Sequence, residues 1–169
     1  TTENATPGIV SNYLHAASVG DSVFLQPPTG EFVIREDKDD LVFLAGGVGI
    51  TPVLSMLLGR IDSGADMSKI TFIQCCRDKS HHIRAAELKA LSDKHGFNYY
   101  VSYEKGSDAD FEGYLNADIL NQWISNSKTD AYFCGPKPFM NAVNNTLQEI
   151  GFAESQIHYE TFGPNIKLN

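Results

Sequence analysis

Leu41-Val42-Phe43-Leu44-Ala45-Gly46-Gly47-Val48-Gly49-Ile50-Thr51-Pro52 decides how this chain folds. Its first five residues form a continuous apolar run, the pattern of a strand buried on both faces. Glycines follow at once, and then an apolar helix is predicted from Thr51 to about Ile61. Glycine lets the backbone turn sharply and approach a ligand closely. Thr51 is placed to cap the helix, and Pro52 suits a first turn, where a missing N–H costs nothing. Free N–H groups at the helix start, together with its dipole, favour an anion such as a pyrophosphate. A tight strand-to-helix turn that binds nothing would read the same way locally. The loop also departs from the usual dinucleotide fingerprint, because Pro52 stands where a third glycine would be, and it lacks the Lys-Ser/Thr ending of a nucleoside-triphosphate loop. Gly46, Gly47, Gly49, Thr51 and Pro52 are the candidate phosphate-binding residues.

Downstream, strand and helix alternate. Strands are predicted at Ile70 to Cys75, Tyr99 to Tyr103, Ala131 to Cys134 and Ile157 to Thr161. Helices are predicted from about Arg84 to His95, Asn116 to Trp123 and Pro138 to Ile150. Apolar strands separated by amphipathic helices imply an α/β fold, here a doubly wound five-stranded parallel sheet over residues 41–169 with right-handed crossovers. A ligand is expected beyond the carboxyl ends of the strands, where strand order reverses. Residues 1–40 read differently. Ser11 is predicted to N-cap a helix from Asn12 to Ala17. Asp21 to Gln26 and Glu31 to Arg35 are predicted to pair as a hairpin around Pro27-Pro28-Thr29-Gly30. Glu36 to Asp40 is a charged connection. A lone hairpin is marginal in water, so this segment reads as the end of a sheet whose other strands are absent.

Further candidates lie at the strand ends. Tyr132-Phe133-Cys134-Gly135-Pro136 would bring Cys134 to the mouth of the sheet beside the first loop, although a free cysteine is more often a small buried apolar residue. In Tyr159-Glu160-Thr161-Phe162-Gly163-Pro164, Glu160 can orient a polar ring and Phe162 can stack on one; taken alone, they read as a surface acid and a core aromatic. The second strand runs into Cys75-Cys76-Arg77-Asp78, the place that usually meets the adenosine ribose. Arg77 there is either a phosphate partner or a surface charge. With Asp78 beside it to repel a 2′-phosphate, a mild preference for a dinucleotide without one is expected. His81-His82 invites a metal reading, but no third ligand stands at a suitable spacing, so no metal is expected.

The chain has 169 residues, 42% hydrophobic and 20% charged, enough for a core without disulfides or metal. A formal net charge of -8 makes nucleic acid an unsuitable partner. Three cysteines, two of them adjacent, form no disulfide framework and point to a reducing, cytoplasmic compartment. No apolar run approaches membrane-spanning length and no signal peptide is visible, so no membrane partner is expected. The absence of an initiator Met, with a first segment too short to close a barrel, leads to the expectation that the chain starts partway through a larger protein.

The glycine loop, the Cys-Gly-Pro motif and the Glu-x-aromatic segment occur in order at the ends of the first, fourth and fifth predicted strands. That combination resembles the ferredoxin–NADP reductase superfamily, in which FAD lies on a separate barrel. Gly8-Ile9-Val10-Ser11-Asn12-Tyr13-Leu14 resembles the flavin-pyrophosphate helix of that barrel, and Pro28-Thr29-Gly30-Glu31-Phe32 resembles the turn after it. Within the superfamily, Gly8 to His15, Ala45 to Pro52, Tyr132 to Met140 and Ile157 to Pro164 are most similar to the reductase region of the flavohaemoglobins. The resemblance implies that residues 1–40 are the C-terminal remnant of an FAD-binding barrel and 41–169 an NAD(P)-binding domain. It implies that Gly8, Val10 and Ser11 contact flavin phosphates and that Gly47, Gly49 and Thr51 hold the nicotinamide dinucleotide. Cys134, Gly135 and Pro136 would line the nicotinamide pocket, with Glu160 and Phe162 against the stacked rings. The implied cofactors are NAD(P)H, FAD at a site incomplete here, and haem in a globin domain this sequence lacks. Hydride would pass from NAD(P)H to FAD and electrons on to haem, for nitric oxide dioxygenation to nitrate. The motif that cradles the flavin ring in this superfamily does not occur, so the chain alone is expected to be inactive. Two other readings stay open: a reductase feeding an oxygenase or cytochrome, and a nucleotide-binding or docking module without turnover. Upstream sequence distinguishes the first and NADH oxidation by the full-length protein the second.

Overall fold

The computed structural model describes residues 8–35, 37–124 and 128–161. The chain forms two compact units that divide between Glu31 and Phe32.

The larger unit is built on a six-stranded sheet of order β4-β3-β2-β1-β5-β6. Its strands are β1 (Leu41–Gly46), β2 (Ile70–Cys76), β3 (Asn98–Tyr103), β4 (Phe111–Glu112), β5 (Asp130–Cys134) and β6 (Ile157–Glu160). Every pairing is parallel. Every residue of β1 and of β5 is buried. That burial on both faces is why these strands read as unbroken apolar runs. Side chains alternate across the sheet, so Leu41, Phe43 and Ala45 pack with Val53 and Leu57 of α2 (Ile50–Asp62) and Leu88 of α3 (Ala85–His95). Val42 and Leu44 face the other way, with Leu120 of α4 (Ala117–Trp123) and Met140, Val143 and Leu147 of α5 (Lys137–Glu149). Both faces are therefore covered, as in a doubly wound sheet. From β1 the chain builds outward through β2, β3 and β4, then returns to the other side of β1 for β5 and β6. Strand order reverses between β1 and β5, where Ala45 pairs with Cys134. This opens a crevice at their carboxyl ends.

The strands and helices expected over residues 41–161 occur within a residue or two of their predicted ends. The sheet has a sixth strand, β4, which pairs its two residues with Ser102 and Tyr103 at the edge. Two residues carry no periodicity, so the sequence could not announce it. Asn116 caps α4 by accepting from the Ile119 N–H at 3.0 Å.

Among its described residues, the smaller unit contains one helix, α1 (Ile9–Ala16), which begins three residues before Asn12. Gly8 is its N-cap, and Ser11 instead sits in the first turn, where its hydroxyl donates to the Gly8 carbonyl at 3.1 Å. The expected hairpin does not form: residues 21–35 contain no strand. Pro27 and Pro28 remove two backbone donors from the connection. Phe24 and Leu25 are also exposed at 100% and 86%, so no buried face pays for pairing. The alternation read over Glu31 to Arg35 survives in another form. Phe32 and Ile34 lie as an extended segment on the core of the larger unit, and the Arg35 N–H donates to the Tyr132 hydroxyl at 3.0 Å.

Candidate functional site

At the end of β1 the chain makes a 3-10 turn, Gly47–Gly49, and enters α2 at Ile50 with Gly49 as N-cap. Gly47 has φ +53°, a left-handed conformation that glycine adopts at least cost. Thr51 is not the cap. It lies in the first turn, and its hydroxyl donates to the Val48 carbonyl at 3.1 Å, bracing the turn from within. Pro52 is the third helical residue, still among the positions whose N–H has no intrahelical partner.

Three glycines bring the two mouth loops together. A Cβ on Gly49 would lie 2.0 Å from the Cys134 carbonyl oxygen and 2.6 Å from the Gly135 nitrogen. A Cβ on Gly46 would lie 2.8 Å from the Phe139 ring, and one on Gly135 would lie 2.4 Å from it. Gly49 and Gly135 therefore serve loop-to-loop contact, whereas a Cβ on Gly47 would meet nothing within 4 Å. Phe139 escaped the sequence reading because it looks like an ordinary apolar residue in the first turn of α5. Its position just after Pro136-Lys137-Pro138 was the available signal.

Beside the crevice lies a cavity of about 580 Å³, in the usual size range of small-molecule sites. Gly46 and Gly47 form one wall, Pro136 and Phe139 another, and Cys75, Cys76 and Arg77 the end of β2. His81, Ser102, Glu104 and Tyr114 complete the far side. Of the candidate dinucleotide residues, Gly46, Gly47, Arg77 and Pro136 line this cavity, and Gly49, Thr51, Pro52 and Gly135 shape the loops around it. Glu104 and Tyr114 were not anticipated, because they follow β3 and a two-residue strand with no motif of their own.

Asp78 turns away from this cavity. Its carboxylate accepts from the Ser80 N–H at 2.9 Å, the Ser80 hydroxyl at 2.6 Å and the His81 N–H at 3.2 Å. It also contacts His81 Nδ1 at 2.7 Å. The bonds from Ser80 and then His81 hold its carboxyl well below the ordinary range. The acid lining the cavity is instead Glu104.

Cys134 and Glu160 are register partners at the ends of β5 and β6, so the structure brings these two candidates together. Cys134 is fully buried and Glu160 exposed. Burial first, and then the Glu160 carboxylate, pushes the Cys134 thiol up to about 11. It is thus protonated at neutral pH and a poor nucleophile. Phe162, the third candidate at this end, lies outside the described residues. In the smaller unit, Gly8, Val10 and Ser11 occupy the start of α1, with Val10 70% exposed.

The sequence matches the family model of the oxidoreductase NAD-binding domain over residues 43–145. It is 40% identical to the flavohemoprotein of Pseudomonas putida over 167 residues, covering 95% of this chain and 42% of that protein. Flavohemoprotein A of Dictyostelium discoideum is 34% identical over 162 residues, covering 93% of this chain and 39% of the relative. The chain thus spans about two-fifths of the length of these curated relatives. Among solved structures, it is similar to the flavohem-like FAD/NAD-binding domain of nitric oxide dioxygenase from Vibrio cholerae. There the TM-score is 0.81 and the identity 34%, covering 94% of this chain and 66% of the other. The ferredoxin–NADP⁺ reductase of Neisseria gonorrhoeae shares the fold, with TM-score 0.73 at 23% identity over 93% of this chain and 71% of that one. The family match runs from within β1 into α5, the elements that build the glycine-lined crevice, and the flavohaemoglobin likeness expected from the motifs extends over most of the chain: the protein belongs to the oxidoreductase NAD-binding domain family.

Proposed function

We propose that residues 41–169 bind NAD(P)H in the reductase portion of a flavohaemoprotein, that residues 1–40 are the end of its FAD-binding domain, and that the whole protein passes electrons to haem for nitric oxide dioxygenation in the cytoplasm. The observation that carries this reading is the crevice between β1 and β5, lined by backbone at Gly46 and Gly47 and continuous with a cavity sized for an adenosine. The site fits a dinucleotide: Gly47 leaves open space where a side chain would stand, so a pyrophosphate can approach the backbone closely there. Bound there, NAD(P)H supplies a hydride and FAD accepts it. The chain's own contribution is orientation. Cys134, as a protonated thiol, gives the nicotinamide end a small apolar wall, and the Glu160 carboxylate is positioned to accept from a carboxamide. Neither acts as an acid or base. The reading of a reducing compartment draws support from three free cysteines. No described helix is long and apolar enough to cross a membrane.

The purified 169-residue chain is expected to bind NADH by isothermal titration but to emerge colourless from a desalting column after incubation with FAD. The apolar side chains of the smaller unit, among them Ile9, Val10, Phe24 and Leu25, stay exposed, so a flavin ring gains little buried area there. Absence of NADH binding would overturn the proposed function, and stoichiometric yellow flavin reduced by NADH would show that residues 1–40 hold FAD unaided.

Coenzyme choice is expected to favour NADH, with Glu104 as the residue that opposes a 2′-phosphate and Arg77 as its counterweight. Glu104→Gln should raise affinity for NADPH relative to NADH by roughly five- to tenfold, the effect of removing one screened charge at close range. Fluorescence titration with both coenzymes checks this, and an unchanged ratio would take Glu104 out of the choice.

A further inference from the structure

The turn between β2 and α3 carries Arg77 and His81 to the cavity, and it is anchored by one ring. His82 sits between β2 and β3, with Nδ1 2.8 Å from the Tyr103 hydroxyl. Its Nε2 is 2.7 Å from the Tyr99 hydroxyl and 3.0 Å from Gln74 Oε1. The Tyr99 hydroxyl donates to the same Gln74 oxygen at 2.8 Å, and Gln74 Nε2 donates to the Ile83 carbonyl at 3.0 Å. Gln74 and Tyr103 are buried, at 2% and 3% exposure. The bonds thus tie the turn, on both sides of its last residues, to the sheet beneath.

Hydrogen-bond arithmetic selects one state of the ring. A neutral imidazole has one donor and one acceptor. Because the Tyr99 hydroxyl gives its hydrogen to Gln74, its oxygen must accept from Nε2–H. The Nδ1 lone pair then accepts from the Tyr103 hydroxyl. A proton on Nδ1 removes that acceptor and puts a cation in the cluster. The ionisable groups around it are Tyr99 and Tyr103 of β3, Cys76 of β2, Asp78, Lys79 and His81 of the turn, and Asp108 and Asp110 beyond β3. Asp78 is engaged by Ser80 and His81, Asp108 by Lys79 at 2.9 Å, and Asp110 by the Val101 N–H at 2.8 Å. The ring's hydrogen-bond partners among the described residues are Tyr103, Tyr99 and Gln74, none of them a carboxylate, and burial lowers its pKa.

We propose that neutral His82 is a positioning residue for the adenosine half of the dinucleotide: it holds the Arg77–His81 turn against the cavity, and its protonation releases that turn and weakens binding. The inference rests on the proposed dinucleotide site. In the free chain, a histidine whose folded pKa is depressed contributes order that is complete above its unfolded pKa near 6.5 and is lost as pH falls toward the folded value. His81 works in the opposite sense, because its protonation adds positive charge beside an anionic ligand.

The test titrates ADP-ribose, which is stable in acid, into the full chain between about pH 7.5 and about pH 5. Wild-type affinity should fall at least about fivefold over that range, whereas His82→Gln, which keeps a donor and an acceptor but cannot ionise, should show no such fall. His81→Asn should keep the fall or steepen it. Nitrogen-15 spectra of the ligand-free chain should show His82 as the Nε2–H tautomer, titrating below the ordinary histidine value. A flat wild-type profile, an unchanged slope in His82→Gln, or a His82 that titrates like an exposed ring would each overturn the proposal. Failure of ADP-ribose to bind at the upper pH would overturn the dinucleotide site itself, and with it this role.

Discussion

Gly49→Ala is expected to abolish measurable dinucleotide binding and to lower the melting temperature of the chain. The added Cβ would lie 2.0 Å from the Cys134 carbonyl oxygen, 2.2 Å from its carbon and 2.6 Å from the Gly135 nitrogen. All three are backbone atoms, and four residues earlier Ala45 pairs in register with Cys134. No rotamer change relieves the clash, so the two mouth loops must separate. The backbone at Gly49 has φ −62° and ψ −6°, values open to any residue. The substitution therefore tests close approach alone, without a conformational penalty. Overpacking of this kind against backbone costs about 3 kcal/mol or more, which for a domain of this size lowers Tm by roughly 6–12 °C. Binding should weaken by at least about a hundredfold, because the glycine loop and the Cys134 loop move relative to each other. Calorimetric melting and NADH titration check both, and a variant with wild-type Tm and affinity would show that the loops do not meet in this way. Gly47→Ala provides the contrast: its Cβ meets nothing, and the cost arises from its left-handed φ of +53° alone.

The second large effect is expected at Gly135, and it should be reversible by a second substitution. A Cβ there would lie 2.4 Å from Cδ1 of Phe139 and 3.1 Å from Cα of Gly46. The worst clash is with a half-buried side chain rather than with backbone. Gly135→Ala should drive the Phe139 ring into the cavity it lines and reduce NADH affinity by about one to two orders of magnitude. Phe139→Ala alone removes part of the cavity wall and should cost less. Adding Phe139→Ala to Gly135→Ala should recover much of the lost stability and affinity, with a coupling of about 1–3 kcal/mol in the double-mutant cycle. The same partner should not rescue Gly49→Ala. Additive effects for Gly135 and Phe139 would show that the ring is not what Gly135 makes room for.

The sequence by itself determined the elements of the larger unit and their order. β1, β2 and β5 are buried on both faces, so their character is written in consecutive apolar residues, and the helices between them carry their own periodicity. The glycine turn after β1 was legible for the same local reason, and so was the likeness to flavohaemoglobin reductase regions, because its motifs are contiguous. The tertiary structure decided everything that depends on which distant segment lies opposite. Gly49 was read as making room for a ligand, yet it makes room for the Cys134 carbonyl, 85 positions along the numbering. Asp78 was read as the acid facing a 2′-phosphate, yet it caps its own turn and Glu104 faces the cavity. The adjacent histidines separate into one that lines the cavity and one locked under it by Gln74, Tyr99 and Tyr103. The alternation over residues 21–35 was a true local signal without a partner strand, and only Phe32 and Ile34 found a surface to cover. The physical reason is common to all of these. Periodicity and turn chemistry act over a few neighbouring residues, while close approach, burial and hydrogen-bond partnership are set when the sheet brings strand ends together.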